Sequence, residues 1–261
     1  MLCREPAVAG MFYPANPVEL ETTVKRFIEN ATHVSIAPKA IIAPHAGYIY
    51  SGPVAASIYK QLASLRDQIK KVVLLGPSHR VAFRGLAVCS AQFYRTPLGD
   101  ITIDRQSVEK ISRLPQVTLL DEAHLSEHSL EVHLPFLQTV LEQFTLVPIV
   151  VGDTSTDEVA EVVELLWGDT STLIVVSSDL SHYHSYDIAR RLDSETTTAI
   201  EKFDINNIGS EDACGKNPIR GLLSVAKQRN LKVKTLDVRN SGDTAGSKDQ
   251  VVGYGAYAFY Q

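Results

Sequence analysis

Apolar runs alternate with helix-period segments along almost the whole chain. Short apolar runs at 40–44, 71–76, 85–91, 145–151, 172–178, 231–238 and 251–259 predict strands. Segments 17–30, 52–64, 104–113, 129–142, 155–167, 186–202 and 218–229 predict helices. The runs 72–75 and 173–176 are continuously apolar and rich in β-branched residues, as strands covered on both faces are. Ser155-Thr156-Asp157-Glu158 supplies a helix cap and an acidic first turn. This order predicts one α/β domain over 1–261, with a central, mostly parallel but mixed sheet and helices on both faces. Strand 251–259 follows 231–238 too closely for a helical crossover, so antiparallel pairing is expected there.

Composition narrows the class. With 261 residues and 44% hydrophobic content, the chain is long enough for one large core. A net charge of -5 gives no basic footprint, so no nucleic-acid partner is expected. Cys3, Cys89 and Cys214 are odd in number and far apart, which argues against a disulfide framework or a structural zinc knuckle. No run approaches the ~20 apolar residues of a membrane span, and the first residues lack a signal-peptide pattern. A cytoplasmic location without membrane attachment is therefore expected.

The candidate chemistry lies where strands end. Ala43-Pro44-His45 and Gly76-Pro77-Ser78-His79 each deliver a histidine just beyond an apolar run. In open α/β sheets, ligands gather beyond the carboxyl ends of strands. Two further runs end in polar residues, at Ser177-Ser178-Asp179-Leu180-Ser181-His182 and at Asn240-Ser241-Gly242-Asp243. Two histidines and one carboxylate suit non-heme Fe(II), and the same ligand types hold Zn(II). His45 and His79 are the expected metal histidines. Asp243 is the preferred carboxylate and Asp179 its rival, although Asn240–Asp243 is also an ordinary turn sequence and Ser178-Asp179 an ordinary cap. His182 then stands free as an acid/base. In Glu127-His128-Ser129-Leu130-Glu131-Val132-His133, His128 and Glu131 share a helical face and are expected as a second shell or a substrate-contacting wall of the cleft, although the stretch also reads as a plain helix N-terminus with acidic residues near it. Cys214 precedes a helix, a place where thiol pKa falls, although most such cysteines are inert. No nucleotide-binding loop is present.

Seven segments carry a resemblance: Ala9–Pro14, Ala43–Tyr48, Gly76–His79, Tyr94–Gly99, Glu127–Pro135, Ser177–His182 and Cys214–Pro218. Together, and in this order, they resemble the Memo family, called AmmeMemoRadiSam system protein B in prokaryotes. The resemblance implies a fold similar to class III, LigB-type extradiol dioxygenases, which hold Fe(II) with two histidines and a carboxylate. It matches His45 and His79 to the metal histidines. It puts Asp243 at the third-ligand position, where animal members carry cysteine. It also puts His182, with Asp179 beside it, at the catalytic histidine, and Phe12 and Tyr50 on the cleft wall. Fe(II) is the expected metal, with Zn or Cu as alternatives. The expected function is that of a metal-dependent oxidoreductase. The alternatives are a scaffold binding a peptide or protein in the same cleft, and a zinc-type hydrolase. Expected partners are a small molecule or peptide, together with the radical SAM protein and AMMECR1-domain protein associated with prokaryotic members.

Overall fold

A computed structural model describes residues 2–261. Its strands are β1 (Cys3–Arg4), β2 (Ala40–Ala43), β3 (Lys71–Pro77), β4 (Leu86–Val88), β5 (Phe93–Thr96) and β6 (Gly99–Thr102). They continue with β7 (Val117–Leu119), β8 (Thr145–Val151), β9 (Thr172–Ser177), β10 (His182–His184), β11 (Lys232–Asn240) and β12 (Val251–Tyr260). The helices are α1 (Pro17–Asn30), α2 (Tyr48–Tyr59), α3 (Arg105–Ile111), α4 (Glu122–Leu125) and α5 (Leu134–Val140). They end with α6 (Thr156–Leu166), α7 (Tyr186–Glu201), α8 (Lys216–Gln228) and α9 (Ser241–Thr244).

The main sheet runs β10-β12-β2-β9-β3-β8-β4-β7, with β11 also on β12. Its centre, β2-β9-β3-β8, is parallel. These four strands are the predicted apolar runs, and their interior residues are fully buried because helices cover both faces. β12 runs antiparallel to β2 and to β11, as the short connection requires. The α/β class with a mixed sheet and flanking helices is thus as expected. A small second sheet, β1-β5-β6, ties the N-terminal segment to the hairpin Phe93–Thr102. No helix among the described residues is long and apolar enough to cross a membrane.

One predicted helix does not form as read. Segment 129–142 begins as a loop and a 3₁₀ turn at Glu131–His133, and only α5 is α-helical. Pro135 would stand inside a helix over 129–142, where it has no N–H to donate to the Glu131 carbonyl and its ring crowds that carbonyl, so the α-helix starts only beside the proline. Pro135, at the start of α5, is where a helix accepts proline.

Parallel order puts the carboxyl ends of β2, β9 and β3 side by side. Pro44-His45, Ser178-Asp179 and Ser78-His79 therefore emerge on one edge. Two glycines let other segments approach that edge. A Cβ on Gly76 would lie 2.7 Å from Ser129 Oγ, so the His128 loop packs directly on β3. A Cβ on Gly215 would lie 2.6 Å from the Ser177 carbonyl, so the Cys214 turn packs on the end of β9.

Candidate metal centre

His45, His79 and His128 converge at this edge. Each offers a ligand atom, and these atoms all lie within 4.8 Å of one another. The rings of His79 and His128 stack at 4.6 Å, and His45 meets both edge-on. His45 is held by Ser177 Oγ, 2.6 Å from its Nδ1. His79 is held by Glu127 Oε1, 2.8 Å from its Nδ1. Each ring is therefore gripped through Nδ1 and keeps Nε2 for the shared space.

Glu127 is buried and serves three residues. Its carboxylate accepts the backbone N–H of His79 at 2.5 Å, of His128 at 3.0 Å and of Ser129 at 2.9 Å. Burial pushes this carboxyl up, but His79 outweighs it and holds Glu127 down at about 2. Burial, then the neighbouring His79 and His128, hold the His45 imidazole well below its ordinary 6.5. Burial and His79 lower His128 to about 4. Both are neutral at pH 7, the form that binds metal.

The donor set fits a metal ion. Three imidazoles offer nitrogens within 4.8 Å of one another, and His128 Nδ1, 3.4 Å from Glu127 Oε1, is buried with no hydrogen-bond partner among the described residues. Metal–nitrogen bonds of about 2.0 Å place tetrahedral ligands about 3.3 Å apart, so binding draws the rings inward. The thiol of Cys214 stands beside them, with Sγ 3.4 Å from His45 Nε2. Burial and the Asp179 charge push that thiol up to about 12, so it stays protonated until a cation lies near it. A cavity of about 250 Å³ opens next to Cys214, bounded by Ser78, Phe83, Lys216 and Asn217.

The family model for Memo-like proteins matches residues 4–258. The chain belongs to the Memo family. A MEMO1 family protein of Aquifex aeolicus is 39% identical, covering 97% of this chain and 98% of its own. A Thermoplasma volcanium relative is 34% identical, with 97% coverage of each chain. Coverage is nearly complete on both sides, so every element that builds the histidine cluster lies within the shared length.

Within this Memo-family fold the expected site residues divide. His45 and His79 come together, and His128, expected on the cleft wall, joins them. Phe12 lies 4.8 Å from the His128 ring, and Tyr50 stands half-exposed in the first turn of α2. Asp179 is buried beside the cluster: its Oδ1 accepts the His45 N–H at 2.8 Å, and its Oδ2 is 3.9 Å from His45 Nε2. Burial pushes Asp179 up to about 7. His182 sits in β10 opposite Val252, and burial lowers its pKa.

Two of the expected residues have other partners in the structure. Asp243 is not in the metal-binding group found among the described residues. Its Oδ2 accepts the Asn240 N–H at 3.0 Å and its Oδ1 the Tyr186 hydroxyl at 2.5 Å, because Asn240–Asp243 forms a capping box for α9. Glu131 is fully buried rather than on the cleft wall. It accepts the N–H groups of Ala7 and Val8 and the Tyr13 hydroxyl, and pairs with buried Arg4. The sequence reading missed Glu127 and Ser177 as supports, and Cys214 as a neighbour of the cluster. Glycine next to Cys214 was the one local sign of a close approach.

The segment from Asp179 to Ser181, which leads into β10 and His182, rests on Asp193, whose Oδ1 accepts the Ser181 N–H at 3.0 Å. Burial raises the Asp193 carboxyl to about 6, above its unfolded value of about 3.9. Its contribution to stability is therefore fully present below about pH 3.9 and is lost as pH rises through 6. Asp193→Asn, which removes the charge, is expected to stabilise the fold by about 1–3 kcal/mol at pH 8 and not at pH 4. Urea denaturation at the two pH values measures this. Equal effects at both would contradict it.

Proposed function

We propose that the cluster of His45, His79 and His128 holds a divalent transition metal, Fe(II) foremost, and that the protein is a metal-dependent oxidoreductase. The observation that carries this reading is the convergence of three imidazoles within 4.8 Å at the carboxyl edge of a parallel sheet. When bound, such a metal supplies open positions for a chelating substrate and for O2. The chain's own residues do the rest. Ser177 and Glu127 fix the histidine rings. Asp179, with a pKa near 7 and an oxygen 3.9 Å from His45 Nε2, is placed to hold or release a proton. His182 is a second proton carrier on the same edge. Phe12 covers the His128 ring and limits water there.

The substrate class that suits these features bears adjacent hydroxyl groups on an apolar ring. Cleavage beside the hydroxyls breaks one C–C bond and places both atoms of O2 in the product, so no outside reductant is consumed. Anaerobic loading with Fe(II), followed by air and a catechol, is expected to give O2 uptake that Asp179→Asn reduces. Three histidines also compose zinc sites. Ester hydrolysis by Zn(II)-loaded protein, with no O2 uptake by the Fe(II) form, would replace this reading with a hydrolase.

A binding role for the same cleft has one observation in its favour. Met11, Ile49 and Tyr183 are large apolar residues, all more than 60% exposed, on segments that flank the cluster. A bound peptide or protein that is lost in Ile49→Asp and indifferent to metal would support that role.

A further inference from the structure

We infer that Ser177 sets the tautomer of His45, and that a continuous hydrogen-bonded chain joins this choice to the one made at His79. The inference draws on the metal reading only for its consequence. A serine hydroxyl has one proton and two acceptor lone pairs. Ser177 Oγ lies 2.6 Å from the Ser129 carbonyl oxygen and 2.6 Å from His45 Nδ1. A carbonyl only accepts, so the hydroxyl proton goes to Ser129. The alternative leaves two oxygen acceptors facing each other at 2.6 Å in a buried site, which is costly. Ser177 Oγ must then accept from His45, whose proton sits on Nδ1. The lone pair of His45 is therefore on Nε2, the atom beside Cys214 Sγ and Asp179 Oδ2.

At His79 the argument is shorter. Its Nδ1 meets Glu127 Oε1, which also accepts the backbone N–H groups of His128 and Ser129 and so acts as an acceptor here, leaving the proton on Nδ1. The two settings are parts of one unit. The same Oε1 accepts the Ser129 N–H, and the Ser129 carbonyl accepts Ser177. Ser129 thus links the two supports through its own backbone. Its side chain bonds elsewhere, to the Pro77 carbonyl at 2.8 Å. Ser177 and Glu127 are positioning residues: each holds a proton on the Nδ1 of its histidine and orients that ring before any metal arrives.

Without the Ser177 hydroxyl, Nδ1–H has no acceptor, while an Nε2–H can turn to Cys214 or Asp179. The test reads the tautomer directly, by two-bond 1H–15N correlation on metal-free 15N-labelled protein, with His45 signals assigned by their loss in His45→Asn. The expected result is Nδ1–H in the wild type and a shift to Nε2–H in Ser177→Ala. Zn(II) affinity is expected to fall 10–100-fold in that variant, the usual effect of losing an outer-shell partner. Nε2–H in the wild type, or Nδ1–H retained in Ser177→Ala, would overturn the inference. If the tautomers behave as stated but the wild type binds no Zn(II), the metal reading fails and the relay stands.

Discussion

Arg4→Ala is expected to destabilise the protein by about 3–5 kcal/mol, the cost of breaking a buried ion pair from one side. Arg4 is fully buried near the N-terminus, 127 residues from its partner Glu131. Its guanidinium also donates to the carbonyls of Glu127 and of His124, the latter at 2.9 Å, and lies over the Tyr94 ring. Removing it leaves a carboxylate and two carbonyls buried without their donor. Glu131→Ala should cost a similar amount, since it strands Arg4, two backbone N–H groups and the Tyr13 hydroxyl. Urea midpoints at pH 7 measure both. The effect should reach the metal centre as well, because residues 124–131 carry both His128 and Glu127. A loss below about 1 kcal/mol in Arg4→Ala would show that water or a neighbour replaces the guanidinium.

The second large effect separates two assignments of the third ligand. His128→Ala should weaken metal binding by more than about 100-fold, beyond the loss typical of outer-shell changes. Asp243→Asn should leave metal affinity within about twofold and cost about 1 kcal/mol of stability, since it weakens a helix cap and the bond from Tyr186. Anaerobic Co(II) titration, followed by absorbance, compares the two variants. The reverse ranking would restore Asp243 to the site and remove His128 from it.

The parallel strands were legible because burial on both faces leaves a continuous apolar run, a purely local mark. His45 and His79 were legible for the same reason, as each directly follows such a run. His128 was harder to place. Its position depends on Gly76 admitting the Ser129 loop against β3, a tertiary fact with no periodicity. The role of Asp243 is ambiguous in the sequence because a capping box and a ligand-bearing turn use the same residues. The setting of Glu131 leaves no local mark because its partner Arg4 lies in β1, 127 residues away. The helix predicted over 129–142 is shortened by Pro135, which a helix accepts in its first turn and not in its interior.

The proposed metal centre is built on the histidines of two strand ends and one loop. Element analysis after anaerobic Fe(II) reconstitution and desalting tests it most directly. The wild type is expected to retain close to one iron per chain, and His45→Ala/His79→Ala close to none while remaining folded by circular dichroism. Equal iron in the two proteins would contradict the claim.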